Sequence, residues 1–243
     1  EIESEADRLG KMAGDLLSLS RHDAAAPAFR EPLDPGVLIR DVTREMSLRA
    51  EKNGVRIVQD LEDGLPCITG DPVGLHTVLS NLVDNALKYT PGGGTVTLAA
   101  RLMNGPANGA GALVAGRANG HHPAVASEQA EDEIRGSGRP ALIAGRSVLF
   151  TVSDTGAGIP PEDLPHVFER FYRADKARSR RLAQIGSGQG SGAGLGLAIV
   201  RGIVEEHGGA VTAESVMGQG TTIRFVLPVP ADGPSTTRSP HHA

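Results

Sequence analysis

The stretch "GSGQGSGAGLGLAIV", residues 186–200, sets the tightest limit on what this chain can fold into, because a run of glycines passes without a break into an apolar helical pattern. Such a junction leaves free backbone N–H groups at the positive end of a helix, a bed for an anion. No Lys-Ser or Lys-Thr follows the glycines, which excludes a P-loop of the G-x-x-x-x-G-K-[ST] type. A dinucleotide fingerprint fits no better, since it should follow a strand directly, and the segment ahead of these glycines is the polar, basic "RADKARSRRLAQ". The plain alternative is a linker followed by a closely packed helix start.

The chain around this junction reads as α/β. In 1–23 Ile2, Ala6, Leu9, Ala13 and Leu16 recur at steps of four and three, the seam of a coiled-coil-like helix or of an ordinary amphipathic one. Pro27, Pro32 and Pro35 mark a linker over 24–34. From residue 35 a helix ends at Gly54, a strand "VRIVQDL" follows, and Asp71-Pro72 opens a second helix that Pro91 and three glycines close. The strand "TVTLAAR" and the returning strand "RSVLFTVSDTG" flank 102–145, rich in Gly and Ala without sustained period, which reads as a flexible insertion. The helix "LGLAIVRGIVEEHG", strands "AVTAESV" and "TTIRFVLPV", and a tail over 229–243 that reads as disordered complete the chain. Helices on one face of a mixed sheet are the expected architecture.

Composition removes several function classes. With five Phe, two Tyr, no Trp and a net charge of −5, the chain is no general nucleic-acid binder. The apolar run "LGLAIVRGIV" is stopped by Arg201, short of the roughly 18 to 20 residues a membrane helix needs. A single cysteine, Cys67, forms no internal disulfide and fits a reducing compartment. The first residue is Glu, so the sequence reads as an excerpt of something longer.

Three constellations carry chemistry. In "NLVDNALKYT", Asn81, Asn85 and Lys88 fall on one helix face, either as surface hydrogen-bonders or as hard ligands and charge beside phosphates. "DTGAGIP" puts Asp154 at a strand end before two spaced glycines, either a plain turn or a place where a flat base meets a carboxylate. The third is the glycine junction itself. Between the last two lies "FERFYRADKARSRRLAQ", whose Arg170, Arg173, Lys176, Arg178, Arg180 and Arg181 form a solvated segment or a charged lid.

Taken together, these motifs resemble the ATP-binding domain of bacterial sensor histidine kinases. "NLVDNALKYT" is similar to its Asn box, "DTGAGIP" to its first glycine box, "FERFYR" to its Phe box, "GAGLGLAIV" to its second glycine box and "GQGTTIRFVLP" to its closing strand motif, in order over residues 35–228. The resemblance implies a two-layer Bergerat-type sandwich that binds ATP between the Asn-box helix and a lid. It implies Asn85 as the Mg²⁺ ligand, Asn81 and Lys88 along the phosphates, and Tyr89 near the adenine. Asp154 would bind the adenine amine, with Gly156, Gly158 and Ile159 around that contact and Thr221 behind it. Phe168 and Phe171 would anchor the lid, while Arg173 and the backbone of Gly192, Gly194, Leu195, Gly196 and Leu197 would face the phosphates.

The segment 1–23 resembles the second helix of the family's dimerisation and phosphoacceptor hairpin. None of the eight histidines stands in the acceptor setting His-[Glu/Asp]-x-x-[Arg/Lys]-[Thr/Ser]-Pro. The implied activity is thus transfer of the γ-phosphate to a histidine on a missing helix or another chain, for onward passage to a response-regulator aspartate. A homodimer through residues 1–21 and a place in the cytoplasmic part of a membrane-bound sensor are further implications. The fold also serves ATPases of the gyrase and chaperone kind, in which a Glu one turn before the Mg²⁺-binding Asn activates water. Asn81 holds that place here and cannot take a proton. A nucleotide-responsive interaction domain predicts damaged motifs, and these are intact; a serine kinase of the anti-sigma type sits poorly with the leading helix.

Overall fold

The computed structural model describes residues 29–105, 145–173 and 194–230. The leading helix expected over 1–23, most of the 102–145 insertion, the basic segment from 174, Gly192 and most of the tail lie outside the described residues.

Two long helices start on the same local device. Helix α1 (Pro35–Lys52) is capped by Asp34, whose carboxylate accepts from Gly36 N at 2.7 Å and Val37 N at 3.1 Å. Helix α2 (Pro72–Tyr89) is capped by Asp71, which accepts from Val73 N at 3.0 Å. In both, proline occupies the first turn, where its missing N–H costs nothing. Chain reversal after α1 uses Gly54 at φ 65°, the left-handed position that ends many helices. Apolar residues at steps of three and four bury one side of α2: Leu75, Val78, Leu79, Leu82, Val83 and Ala86. A third helix, α3 (Gly196–Glu206), packs on α2 and buries Ile199, Val200, Ile203 and Val204.

These helices cover one face of a five-stranded mixed sheet. Its strands are β2 (Arg56–Leu61), β4 (Thr95–Gly105), β5 (Gly145–Asp154), β6 (Ala210–Val216) and β7 (Gly220–Pro228), in the order β2-β4-β5-β7-β6. Only β2 and β4 pair in parallel. Alternation decides which face is covered: Val96, Leu98, Ala100, Val148, Phe150, Val152, Ile223, Phe225 and Leu227 are buried. The rings of Phe150 and Phe225, cross-strand partners, stack at 4.7 Å in the middle of this layer. Several intervening positions are polar and pair across strands, as Ser153 with Thr222 at 2.7 Å and Arg224 with Glu214 at 2.6 Å.

A second, two-stranded sheet pairs β1 (Glu31–Leu33) with β3 (Ile68–Gly70). Residues 31–33 fall inside the segment that reads as linker; three residues are too few to show a period. Close to this small sheet His207, only 5% exposed, joins two helices. Its Nδ1 donates to Ile203 O at 2.7 Å and its Nε2 accepts from the Asp71 amide at 2.9 Å. His207→Ala leaves that amide unpaired in the interior and is expected to cost about 2–3 kcal/mol of stability, readable by thermal unfolding.

Strands β4 and β5 run further than the sequence pattern suggests, in register from Val96↔Asp154 to Gly105↔Gly145. At ~3.3 Å per residue, the Gly145 end lies roughly 30 Å from Asp154. Because Gly105 and Gly145 are directly opposed, a two-residue Asn-Gly turn can replace 106–144. We expect this excision to leave nucleotide affinity within about twofold in a direct titration; a lost affinity would place the segment at the binding site.

Candidate functional site

The ends of α2 and α3 bring the first and third constellations together. Asn81 and Asn85, one turn apart on α2, both face Gly196 at the start of α3. A Cβ at position 196 would stand 3.5 Å from Asn81 Oδ1 and 3.9 Å from Asn85 Nδ2, ordinary contact distances that set the helix start beside both amides. Unlike α1 and α2, α3 begins with no side-chain cap. Among the described residues no side chain accepts from its first N–H groups, which lie beside two asparagines. One turn on, Lys88 Nζ lies 5.0 Å from the ring centroid of Tyr89, itself half exposed.

Leu195 and Leu197 flank Gly196 with their side chains turned inward. The Leu195 side chain is 2% exposed and belongs to the core, and Leu197 packs against that core. Asp84, the acidic residue of α2, is turned toward α1 and forms an ion pair with Arg49. It lines a groove with Glu45, Met46, His76 and Asn81, so the groove reaches the residue that meets Gly196.

Asp154 ends β5 and is half-buried. Its Oδ1 accepts from Gly156 N at 2.8 Å and Thr221 N at 3.3 Å, and both bonds fall on that one oxygen. Oδ2 is left to accept from a partner. Burial raises the carboxyl above its ordinary value, against the opposing pull of the two backbone bonds. The glycines make this packing feasible: a Cβ at Gly156 would lie 2.5 Å from Tyr89 O, and Gly158 at φ 72° passes against the Val216 backbone. Ala157 N donates to Tyr89 O at 3.2 Å, which seats the glycine loop on the end of α2. Ile159 N donates to Ser215 Oγ at 2.8 Å.

Past a short 3-10 turn (Leu164–His166), Phe168 packs against the core. Phe171 does not. Its ring is 66% exposed, and its amide donates to Gly194 O at 2.9 Å from a backbone with φ 65°. The two described ends that flank 174–193 thus meet through main chain. Tyr172 closes the same corner by donating to Asp163 Oδ1 at 2.6 Å, a bond that pushes its phenol up to about 12. Arg173, the last described residue before 174, is exposed.

Sequence reasoning missed Ser215 and Gly220. Gly220 sits at φ 121° with the Asp154 carbonyl where a Cβ would be, and only its glycine spacing hinted at this. Ser215 sits in a strand with no motif around it.

The profile of the family described as "Histidine kinase-, DNA gyrase B-, and HSP90-like ATPase" matches residues 70–231. The chain belongs to this family. Among curated relatives, it is 30% identical over 226 residues to sensor histidine kinase WalK of Bacillus subtilis, covering 93% of this chain and 29% of that protein. It is 34% identical over 228 residues to sensor histidine kinase TrcS of Mycobacterium tuberculosis, covering 94% of this chain and 35% of that protein. The chain thus spans about a third of the length of these relatives. Among solved structures, full-length ShkA in complex with AMPPNP matches with a TM-score of 0.67 at 27% identity, over 96% of this chain and 38% of that one. The mycobacterial sensor histidine kinase MprB, at 24% identity and TM-score 0.55 over 85% of this chain and 99% of that one, shares the fold. No helix among the described residues is long and apolar enough to cross a membrane.

Proposed function

We propose that this chain is the catalytic ATP-binding part of a dimeric sensor histidine kinase, which passes the γ-phosphate of Mg-ATP to a histidine supplied by a further helix or by another chain. The observation that carries the reading is the uncapped start of α3 set against Asn81 and Asn85, with Asp154 at the other end of the glycine loops. Phosphoryl transfer asks chiefly for positioning and charge neutralisation. The α3 amides and Lys88 meet phosphate oxygens, Oδ2 of Asp154 accepts from the adenine amine, and Tyr89, Ile159 and Thr221 border the base. Arg173 supplies further charge toward the phosphates.

The donor set fits a magnesium ion that arrives with the nucleotide. No cluster of three or more His, Cys, Asp or Glu side chains among the described residues forms an all-protein cage, and Asn85 offers one hard oxygen, as suits an ion held mainly by phosphates and water. When bound, the ion supplies neutralisation of phosphate charge. Partners on this reading are the acceptor-histidine hairpin, a second copy through residues 1–21, and a response regulator whose aspartate receives the phosphate, all on the cytoplasmic side.

ATP hydrolysis is the second reading. Against it stands the chemistry of α2: Asn81 cannot take a proton from water, and Asp84 is engaged by Arg49. The deciding experiment follows γ-labelled ATP with magnesium and the purified chain. Label that moves only when a histidine-bearing hairpin fragment is added supports the kinase reading. Label released as free phosphate by the chain alone, beyond contaminant rates, replaces it with the ATPase reading.

A further inference from the structure

We infer that Ser215 is a positioning residue that sets the choice of base through Asp154; this rests on the ATP-site reading above. Its hydroxyl is a junction of three segments. Oγ accepts from Ile159 N at 2.8 Å, donates to Gly220 O at 2.8 Å and lies 3.0 Å from Thr221 Oγ1. A serine hydroxyl has one proton and two lone pairs, so these three contacts use its full capacity, with Thr221 as the second donor.

The junction bears directly on Asp154. Of the two donors that hold Oδ1, one is the amide of Thr221, a residue Ser215 touches, and the other is Gly156 in the loop that Ser215 pins at Ile159. Both segments contain glycines with positive φ, Gly158 and Gly220, whose backbone has wide freedom unless something fixes it. Ser215 fixes both at once. The carboxylate rotation, and with it the direction in which Oδ2 presents its lone pairs, follows from that clamp. A purine with an amine at position 6 donates to this oxygen, whereas one with a carbonyl there faces it with like polarity. Discrimination between them depends on a carboxylate that cannot turn away.

The test compares ATP with inosine triphosphate, in which a carbonyl replaces the 6-amine, by calorimetric titration of the full chain in magnesium. Wild type prefers ATP, and Ser215→Ala is expected to shrink that preference at least fivefold, chiefly through weaker ATP binding. Ser215→Thr, which keeps the hydroxyl, should restore it, and Ser215→Cys, near in size but a poor hydrogen-bonder, should fall between. In an Asp154→Asn background, Ser215→Ala should leave the ratio unchanged. An unchanged ratio in both Ser215→Ala and Ser215→Cys, or a parallel loss of both nucleotides, overturns the role while leaving the ATP site standing. A wild-type chain that binds neither nucleotide, or binds both equally, overturns the ATP-site reading and this role with it.

Discussion

Asp154→Asn is expected to weaken ATP binding about ten- to a hundredfold while leaving the nucleotide-free protein as stable as before or more so. The first part follows from the scale of a hydrogen bond to a charged group, about 1.5–3 kcal/mol. Asparagine keeps an oxygen for Gly156 N and Thr221 N, but it puts an amide donor where Oδ2 should accept from the adenine amine. The second part comes from burial, which raises the native carboxyl above its value in the unfolded chain. The folded state then holds the proton more tightly. Its contribution to stability is present below the unfolded value and is lost as pH rises through the raised native one, so at neutral pH the ionised side chain is a cost that Asn removes. Two measurements separate the effects: titration with ATP, and thermal unfolding without it. ATP affinity of the wild type should also fall on acidification, starting above the usual carboxylate range, and the variant should lack this response. A variant with wild-type affinity would remove Asp154 from the site.

Asn85→Ala is expected to cut magnesium-dependent ATP affinity and label transfer on the order of a hundredfold, the scale seen when one preorganised electrostatic contact is lost. The informative quantity is the ratio of affinities with and without magnesium, which should approach one in the variant. Asp84→Ala provides the contrast. It breaks the pair with Arg49 and lowers stability, yet it should leave the magnesium ratio as it was, since its side chain faces α1. A variant at Asn85 that still needs magnesium to the same degree would move the metal ligand elsewhere.

Much of this geometry was legible in the sequence because it is local. Asp71-Pro72 announces a helix start, and the spacing of Asn81 and Asn85 places them on one face before any tertiary contact is known, whereas Pro35, read as a linker mark, opens α1 behind the Asp34 cap. The order of the glycine motifs likewise implied that Asp154 and the start of α3 serve one site. Other features were not legible, for a physical reason. Ser215 and His207 act through single bonds to residues far along the chain, Ile159 and Asp71, and no local pattern records such a pairing. The β1–β3 pair is set by its register and neighbours, not by periodicity. At Phe171 the resemblance implied a lid anchor but gave no hint of the left-handed backbone, the exposed ring or the amide bond to Gly194.

The missing cap on α3 has a consequence for how this helix breathes. Its far end is secured: Arg30 donates to Glu206 O at 2.7 Å, and His207 ties the last turn to Asp71. Opening falls to the first turn, which has no side-chain cap among the described residues. A nucleotide's phosphates would do for α3 what the carboxylates of Asp34 and Asp71 do for the other two helices. Amide hydrogen exchange at the start of α3 should therefore slow as ATP is added, tracking occupancy. By mass action the gain in folded-state stability is about 2.7 kcal/mol at a hundred times Kd. The substrate, on this view, is the last residue of the fold.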